Sequence, residues 1–179
     1  MKHLLYAFLF VIGISQCQKK EENYITQFPS KPEVPSAIKK EHTNLLAQIK
    51  EIASYDDSTS IVARNLQEIL QHHFDEEEDF VLPTLSLLPL LASGDTYEQH
   101  KDILPLIRKF KAQLTHMNAE HQMIKAYMAD LKQVGAKENH PEILKFEEEL
   151  HDHAAIEEEI FFPAAILIGE YLDLKSIEK

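Results

Sequence analysis

Two stretches of the chain repeat one arrangement of ionisable side chains: His73 is followed four residues later by Glu77, and His153 by Glu157. Each residue of an α-helix advances about 100°, so residues four apart project from one face. A histidine and a glutamate at that spacing can present a nitrogen and an oxygen to one ion, and the chemistry on offer is coordination of a first-row metal. Ten histidines and thirty acidic residues make single pairs common by chance, so the surroundings must decide. HFDEEEDFVLP at 73–83 matches HAAIEEEIFFP at 153–163, an offset of 80 residues. The repeat extends backwards, with His42 lying 31 residues before His73 and His121 lying 32 before His153.

These side chains need four helices to hold them. The composition suits that, with four glycines, no tryptophan and 44% apolar residues, and the length suits one core. We expect an all-α fold. Helical periodicity predicts a first helix from a Ser36 cap to about Ser54, and a second running from the turn at 55–60 to Pro83. A third should open with Thr96 and Gln99 as a capping box, kink at Pro105 and end at Gly135; a fourth should run from His140 to about Leu174.

The inward stripes place the histidines among apolar residues: Ile38, His42, Leu45 and Ile49 on the first helix, and Val62, Leu66, Ile69, His73, Glu77 and Val81 on the second. The third offers Phe110, Leu114, Met117, His121, Ile124 and Met128; the fourth offers Ile143, Phe146, Leu150, His153, Glu157 and Ile160. A lone core histidine is usually only hydrogen-bonded, and runs such as DEEED usually face solvent. Here two carboxylates would be buried with no Lys or Arg on any of the four stripes, at a cost of several kcal/mol each unless a cation is supplied. Four imidazoles and two carboxylates able to bridge suit two metal ions with positions left open. His72, His116 and His151 carry charged neighbours on their own stripes and are read as solvent-facing.

With its surroundings, the set His42, His73-x3-Glu77-Glu78-x4-Pro83, Glu120-His121 and His153-x3-Glu157-Glu158-x4-Pro163 resembles the hemerythrin-type HHE cation-binding domain over roughly residues 36–170. That resemblance implies an up-down-up-down four-helix bundle and a non-haem di-iron pair bridged by Glu77 and Glu157. Ligand chemistry by itself leaves manganese or zinc open. The sequence departs from oxygen carriers of the family at Lys125, where they have a second histidine, and at Glu157 and Glu158, where they place an aspartate five residues after the histidine. In this it is similar to the iron-handling, nitric-oxide-responsive branch. A ferritin-like site needs Glu-x-x-His twice and finds it only once on a late helix, at Glu148 and His151.

At the N-terminus, Lys2 precedes an apolar run from Leu4 to Ile14, too short to span a bilayer and suited to a signal peptide at 1–16. Ile14, Ser15, Gln16 and Cys17 resemble the cleavage box of bacterial lipoproteins, although Gln16 replaces the usual small residue. On that resemblance Cys17 is lipidated, 17–35 is a flexible tether, 36–174 is the bundle, and the protein sits on the cell envelope. Ordinary secretion is the alternative. The net charge of −12 becomes more acidic when Lys2 is removed with residues 1–16, which excludes nucleic acid as a partner and leaves a lipid as the means of membrane attachment.

The expected function is therefore a metal-binding module that binds or senses dioxygen or nitric oxide, or buffers iron. Its rival is an enzyme reducing nitric oxide or peroxide with an external electron donor. A structural, metal-bound interaction domain is the third class.

Overall fold

The computed structural model describes residues 32–94 and 102–177. The proposed signal peptide, Cys17, most of the tether, and the Thr96–Gln99 capping box lie outside them. No strand occurs among the described residues, and no helix among them is long and apolar enough to cross a membrane.

Four long helical segments form the bundle. They are α1 (Ser36–Ile52), α2 (Thr59–Glu76), α4 (Ile103–Glu138) and α5 (Ile143–Ile156), the last continuing into α6 (Phe162–Ile177). Between α2 and α4 the chain tightens into a 3-10 segment, Leu82–Leu87, and a short helix, α3 (Leu88–Ala92). Helix α1 packs on α2 and α5, and α4 packs on the same two, so the segments form a closed ring of neighbours.

Each helix buries one stripe, and together the stripes make two apolar cores. One, near the α1–α2 and α4–α5 turns, contains Leu45, Ile49, Leu66, Leu70, Phe74, Ile124, Met128, Phe146 and Leu150. The other, towards α6, contains Ile38, Phe80, Ile107, Phe110, Met117, Phe162 and Leu172. His42, His73, Glu77, His121, His153 and Glu157 are buried in the layer between them.

Several sequence expectations are corrected. Pro105 does not kink α4, because it lies in the first turn, where a helix has no use for the missing N–H. Gly135 does not end that helix. It continues to Glu138, and Asn139 adopts the left-handed conformation (φ 66°) while His140 N–H bonds Gly135 O at 2.8 Å. Ser36 lies inside α1, and Pro35 O accepts from Ile38 and Lys39 N–H. Helix α6 runs to Ile177.

The largest departure is a pair of π turns, Glu77–Val81 and Glu157–Phe161, at equivalent places in the two repeats. Leu82 N–H reaches back to Glu77 O, and Phe162 N–H to Glu157 O. The following residues, Pro83 and Pro163, have no N–H, and in a continuous α-helix their rings would press on the carbonyl four residues back. The widened turn absorbs one extra residue and rotates the subsequent face. Ile160, expected inward, is 56% exposed although Phe80, its equivalent in the first repeat, is buried, and Phe162 enters the core.

The two turns at the closed end are tied together by His140. Its Nε2 lies 2.6 Å from Asp57 Oδ2 and its Nδ1 3.0 Å from Glu142 Oε1, while Tyr55 stacks on the ring. The Asp57 carboxylate, with help from Glu142, raises the His140 pKa, and the imidazole in turn lowers that of Asp57. A raised histidine contributes stability that is complete below its unfolded pKa of about 6.5 and is lost as pH rises through the folded value. The lowered Asp57 contributes above an unfolded value of about 3.9 and loses it as pH falls. In an NMR titration His140 should titrate above about 6.5 and fall back towards that value in Asp57→Asn; an unchanged midpoint in the variant would exclude the link.

Candidate metal centre

The buried layer is built by the i, i+4 geometry of the two repeats. In α2, His73 Nε2 lies 3.4 Å from Glu77 Oε1, and at the other repeat His153 Nε2 lies 2.9 Å from Glu157 Oε1. Helix α1 brings His42 Nε2 to 3.6 Å from both Glu77 Oε2 and Glu157 Oε1, and α4 brings His121 Nε2 to 3.5 Å from Glu157 Oε2.

These distances sort the six side chains into two overlapping groups: His42, His153, Glu77 and Glu157 on one side, and His73, His121, Glu77 and Glu157 on the other. Both glutamates belong to both. Glu77 turns Oε1 towards His73 and Oε2 towards His42; Glu157 turns Oε1 towards His42 and His153, and Oε2 towards His121. Each carboxylate thus spans the two groups with one oxygen apiece, which is the disposition a bridging ligand requires.

A test of fit comes from hydrogen bonding. The Nε2 atoms of His42, His73, His121 and His153, and both oxygens of Glu77 and Glu157, are buried without a hydrogen-bond partner. Buried polar atoms are ordinarily satisfied, and each orphan costs on the order of 1–3 kcal/mol. Eight orphans converging on one layer mark a place designed for cations. Metals bound by nitrogen and oxygen at about 2.0–2.2 Å hold neighbouring ligand atoms roughly 3–3.5 Å apart, close to the spacing seen here.

The outer nitrogens are held from behind. His42 Nδ1 meets Glu78 Oε1 at 3.1 Å, His73 Nδ1 meets Glu120 Oε2 at 3.0 Å, and His121 Nδ1 meets Glu158 Oε1 at 2.8 Å. His153 Nδ1 faces Glu41 Oε1 at 3.6 Å. With Nδ1–H donating to a carboxylate, Nε2 is left with its lone pair pointing inward, the tautomer a metal needs. The second repeat copies the first here as well. Glu41 and Glu120 immediately precede His42 and His121, while Glu78 and Glu158 immediately follow Glu77 and Glu157. Lys39 and Lys125 approach Glu78 and Glu158 from outside, at 3.7 and 2.9 Å.

Sequence reasoning gave these four glutamates no such role, although their duplication was visible. Glu158 in particular points away from the shared layer, to His121 and Lys125, so Glu157 is the inward carboxylate of the second repeat.

Without cations the layer is electrostatically awkward. Burial, and then the neighbouring Glu157 carboxylate, push the Glu77 carboxyl well above its usual range. Burial acts in the same direction on Glu157, but contacts with His121, His153 and His42 overcome it and hold that group ionised. Burial, reinforced by His121, lowers His73 to about 4, leaving it neutral and ready to ligate.

The family model of the hemerythrin HHE cation-binding domain matches residues 33–165. The chain belongs to this family. No curated protein and no solved structure matches it. The matched residues contain the whole buried layer, so membership in a cation-binding family and the orphaned ligand atoms point to the same place. This hemerythrin-family bundle is a metal-binding domain, and the six buried side chains are the residues able to hold the metal.

Glu77→Gln and Glu78→Gln should separate the inward carboxylates from those behind the histidines. Glu77→Gln replaces one inward ligand oxygen with an amide NH2 that cannot coordinate, so metal content should fall, while the metal-free protein, in which burial and Glu157 already favour the neutral Glu77 acid, should keep its urea stability to within about 1–3 kcal/mol. Glu78→Gln should bind metal about 10–100-fold more weakly. Equal affinity in both variants and wild type would place the metal elsewhere.

Proposed function

We propose that His42, His73, Glu77, His121, His153 and Glu157 hold two irons, with Glu77 and Glu157 bridging, and that the centre binds dioxygen or nitric oxide. When bound, such a pair supplies open coordination positions and redox-active metal to a small diatomic ligand. Manganese and zinc satisfy the same ligands, and metal analysis distinguishes them.

The observation that carries the reading is a cavity of about 230 Å³ that ends on His73, His121, His153 and Glu157. Its walls are mainly apolar, from Leu70, Phe74, Ile124, Met128, Leu150 and Ala154, with Lys125, Glu147 and His151 also on the lining. A space of this size is below the roughly 300–1,000 Å³ typical of sites for drug-sized ligands, and its walls favour an uncharged guest. Both Phe74 and Ala154, equivalent positions of the two repeats, lie on its wall. Phe74, next to His73, stacks on the His42 ring at 4.0 Å. Its counterpart 80 residues on is Ala154, whose methyl group fills far less of the cavity than a ring would.

Within the pocket, Nδ1–carboxylate contacts orient the imidazoles, Phe74 and Phe162 cover two of them, and the apolar walls limit water. A second reading, reduction of nitric oxide or peroxide with an external electron donor, is favoured by Lys125 and His151 on the cavity wall, which could deliver protons.

The full chain purified in air should contain two irons and show charge-transfer absorption, both lost in a His73→Ala/His153→Ala double variant. Ala154→Phe should keep the metal and lose the spectral response to dioxygen or nitric oxide. A response that reverses under vacuum supports binding, and consumption of ligand beyond one equivalent with added reductant supports turnover. Zinc in place of iron, or an undiminished gas response in Ala154→Phe, would overturn the reading.

We further propose that the domain is tethered to the cell envelope by a lipid on Cys17, downstream of a signal peptide at 1–16. The acidic surface supports an acyl chain over charge as the means of attachment. In a bacterial host the wild type should fractionate with membranes and Cys17→Ser with soluble protein; identical fractionation would refute the tether.

A further inference from the structure

Directly outside the buried layer, α2 and α4 present a second convergence of histidines and glutamates. His72 and Glu76 on α2, and His116 and Glu120 on α4, repeat the i, i+4 spacing of the inner pairs. Read from the sequence, the two histidines belong to solvent faces, and they are indeed 60% and 45% exposed. Yet both turn to one carboxylate, Glu120. His72 Nδ1 is 3.0 Å from Glu120 Oε1, and His116 Nε2 is 3.2 Å from Glu76 Oε2 and 3.5 Å from Glu120 Oε1.

We propose that His72, Glu76 and Glu120, with His116, form a third metal site for a divalent first-row ion, beyond the pair assigned to the buried layer. His72, Glu76 and Glu120 each offer a ligand atom within 4.8 Å of the others. The separations of 3.0–3.5 Å to Glu120 and Glu76 match those expected between neighbouring ligands of one ion with bonds of about 2.0–2.2 Å. Mixed imidazole and carboxylate ligation suits zinc, manganese or ferrous iron.

Two observations distinguish this cluster from an ordinary solvated charge group. Glu76 Oε2 is buried and without a hydrogen bond, although His116 Nε2 lies near it, so proximity there lacks hydrogen-bond geometry. Among the described residues, the ion pairs of Glu76 and Glu120 are made by histidines alone, and no Lys or Arg neutralises the two carboxylates. An ion would supply the missing positive charge and use the orphaned oxygen.

Glu120 also makes the site adjacent to the inner one. Its side chain is 6% exposed; Oε1 faces His72 and His116, and Oε2 accepts from His73 Nδ1 at 3.0 Å. An outer ion and the inner layer would thus share a single carboxylate and imidazole between them.

The test uses the full chain, stripped of metal by chelation and refilled with Zn2+ alone. Wild type should hold one more tightly bound zinc per chain than His72→Ala/His116→Ala, whatever number the buried layer takes. Zinc-edge anomalous scattering should place the additional ion between His72 and Glu76. Equal zinc content in the double variant and wild type, or no anomalous peak at this cluster, would overturn the third site. Loss of only the inner ions in His73→Ala/His153→Ala would leave it standing, so failure of the two readings is distinguishable.

Discussion

Everything in this bundle is arranged around eight buried polar atoms with nothing in the protein to bond to. Four imidazole nitrogens and four carboxylate oxygens converge in the layer between the two apolar cores. Taking such groups out of water is costly, and the cost is offset only when cations complete them. The layer interrupts what would otherwise be one continuous core, so any ion it takes would add its binding free energy to the stability of the fold. Metal affinity and the stability of the loaded state are then the same free energy viewed from two sides.

Duplication explains how a small domain assembles so many ligands. Each hairpin supplies one Glu-His pair from its first helix and one His-x3-Glu-Glu set from its second, and each set serves the other hairpin as much as its own. Glu78 on α2 orients His42 on α1, within one hairpin, whereas Glu120 on α4 orients His73 across the bundle. The π turns follow the same repeat. They begin at the inward glutamates and end just before the prolines, and the second core takes Phe80 from within the first turn and Phe162 from just after the second, positions that do not correspond.

The departures from symmetry are as informative as the symmetry. Phe74 covers His42 and also walls the small apolar cavity, where its counterpart Ala154 presents only a methyl group. Lys39 and Lys125 stand behind equivalent glutamates, but Lys125 also reaches the cavity lining. His72 and His116 face each other on the α2–α4 side, while His151 and Asp152, the nearest counterparts on α5, are largely exposed and lie 3.6 Å apart. A duplicated scaffold thus carries a nearly symmetric layer with access and outer chemistry on chosen sides.

By itself the sequence determined the class of fold, the number of long helical segments and the convergence of the six inward residues, because helical periodicity and a repeated His-x3-Glu motif report which face of each helix is buried. It missed the π turns, since an inserted residue changes the phase without changing composition, and it placed Ile160 in the core, where only its counterpart Phe80 is buried. The proposed anchor at Cys17 remains a reading of sequence alone. Only the tertiary structure decided which carboxylate stands behind which histidine, that Glu77 and Glu157 each divide their oxygens between two groups, and that a small apolar cavity lies against the layer. It also brought His72 and His116, each unremarkable on its own helix, to one shared glutamate, Glu120. The physical reason is that periodicity fixes directions around one helix axis, whereas a ligand site is a set of distances between helices, and those are set by how the apolar stripes pack.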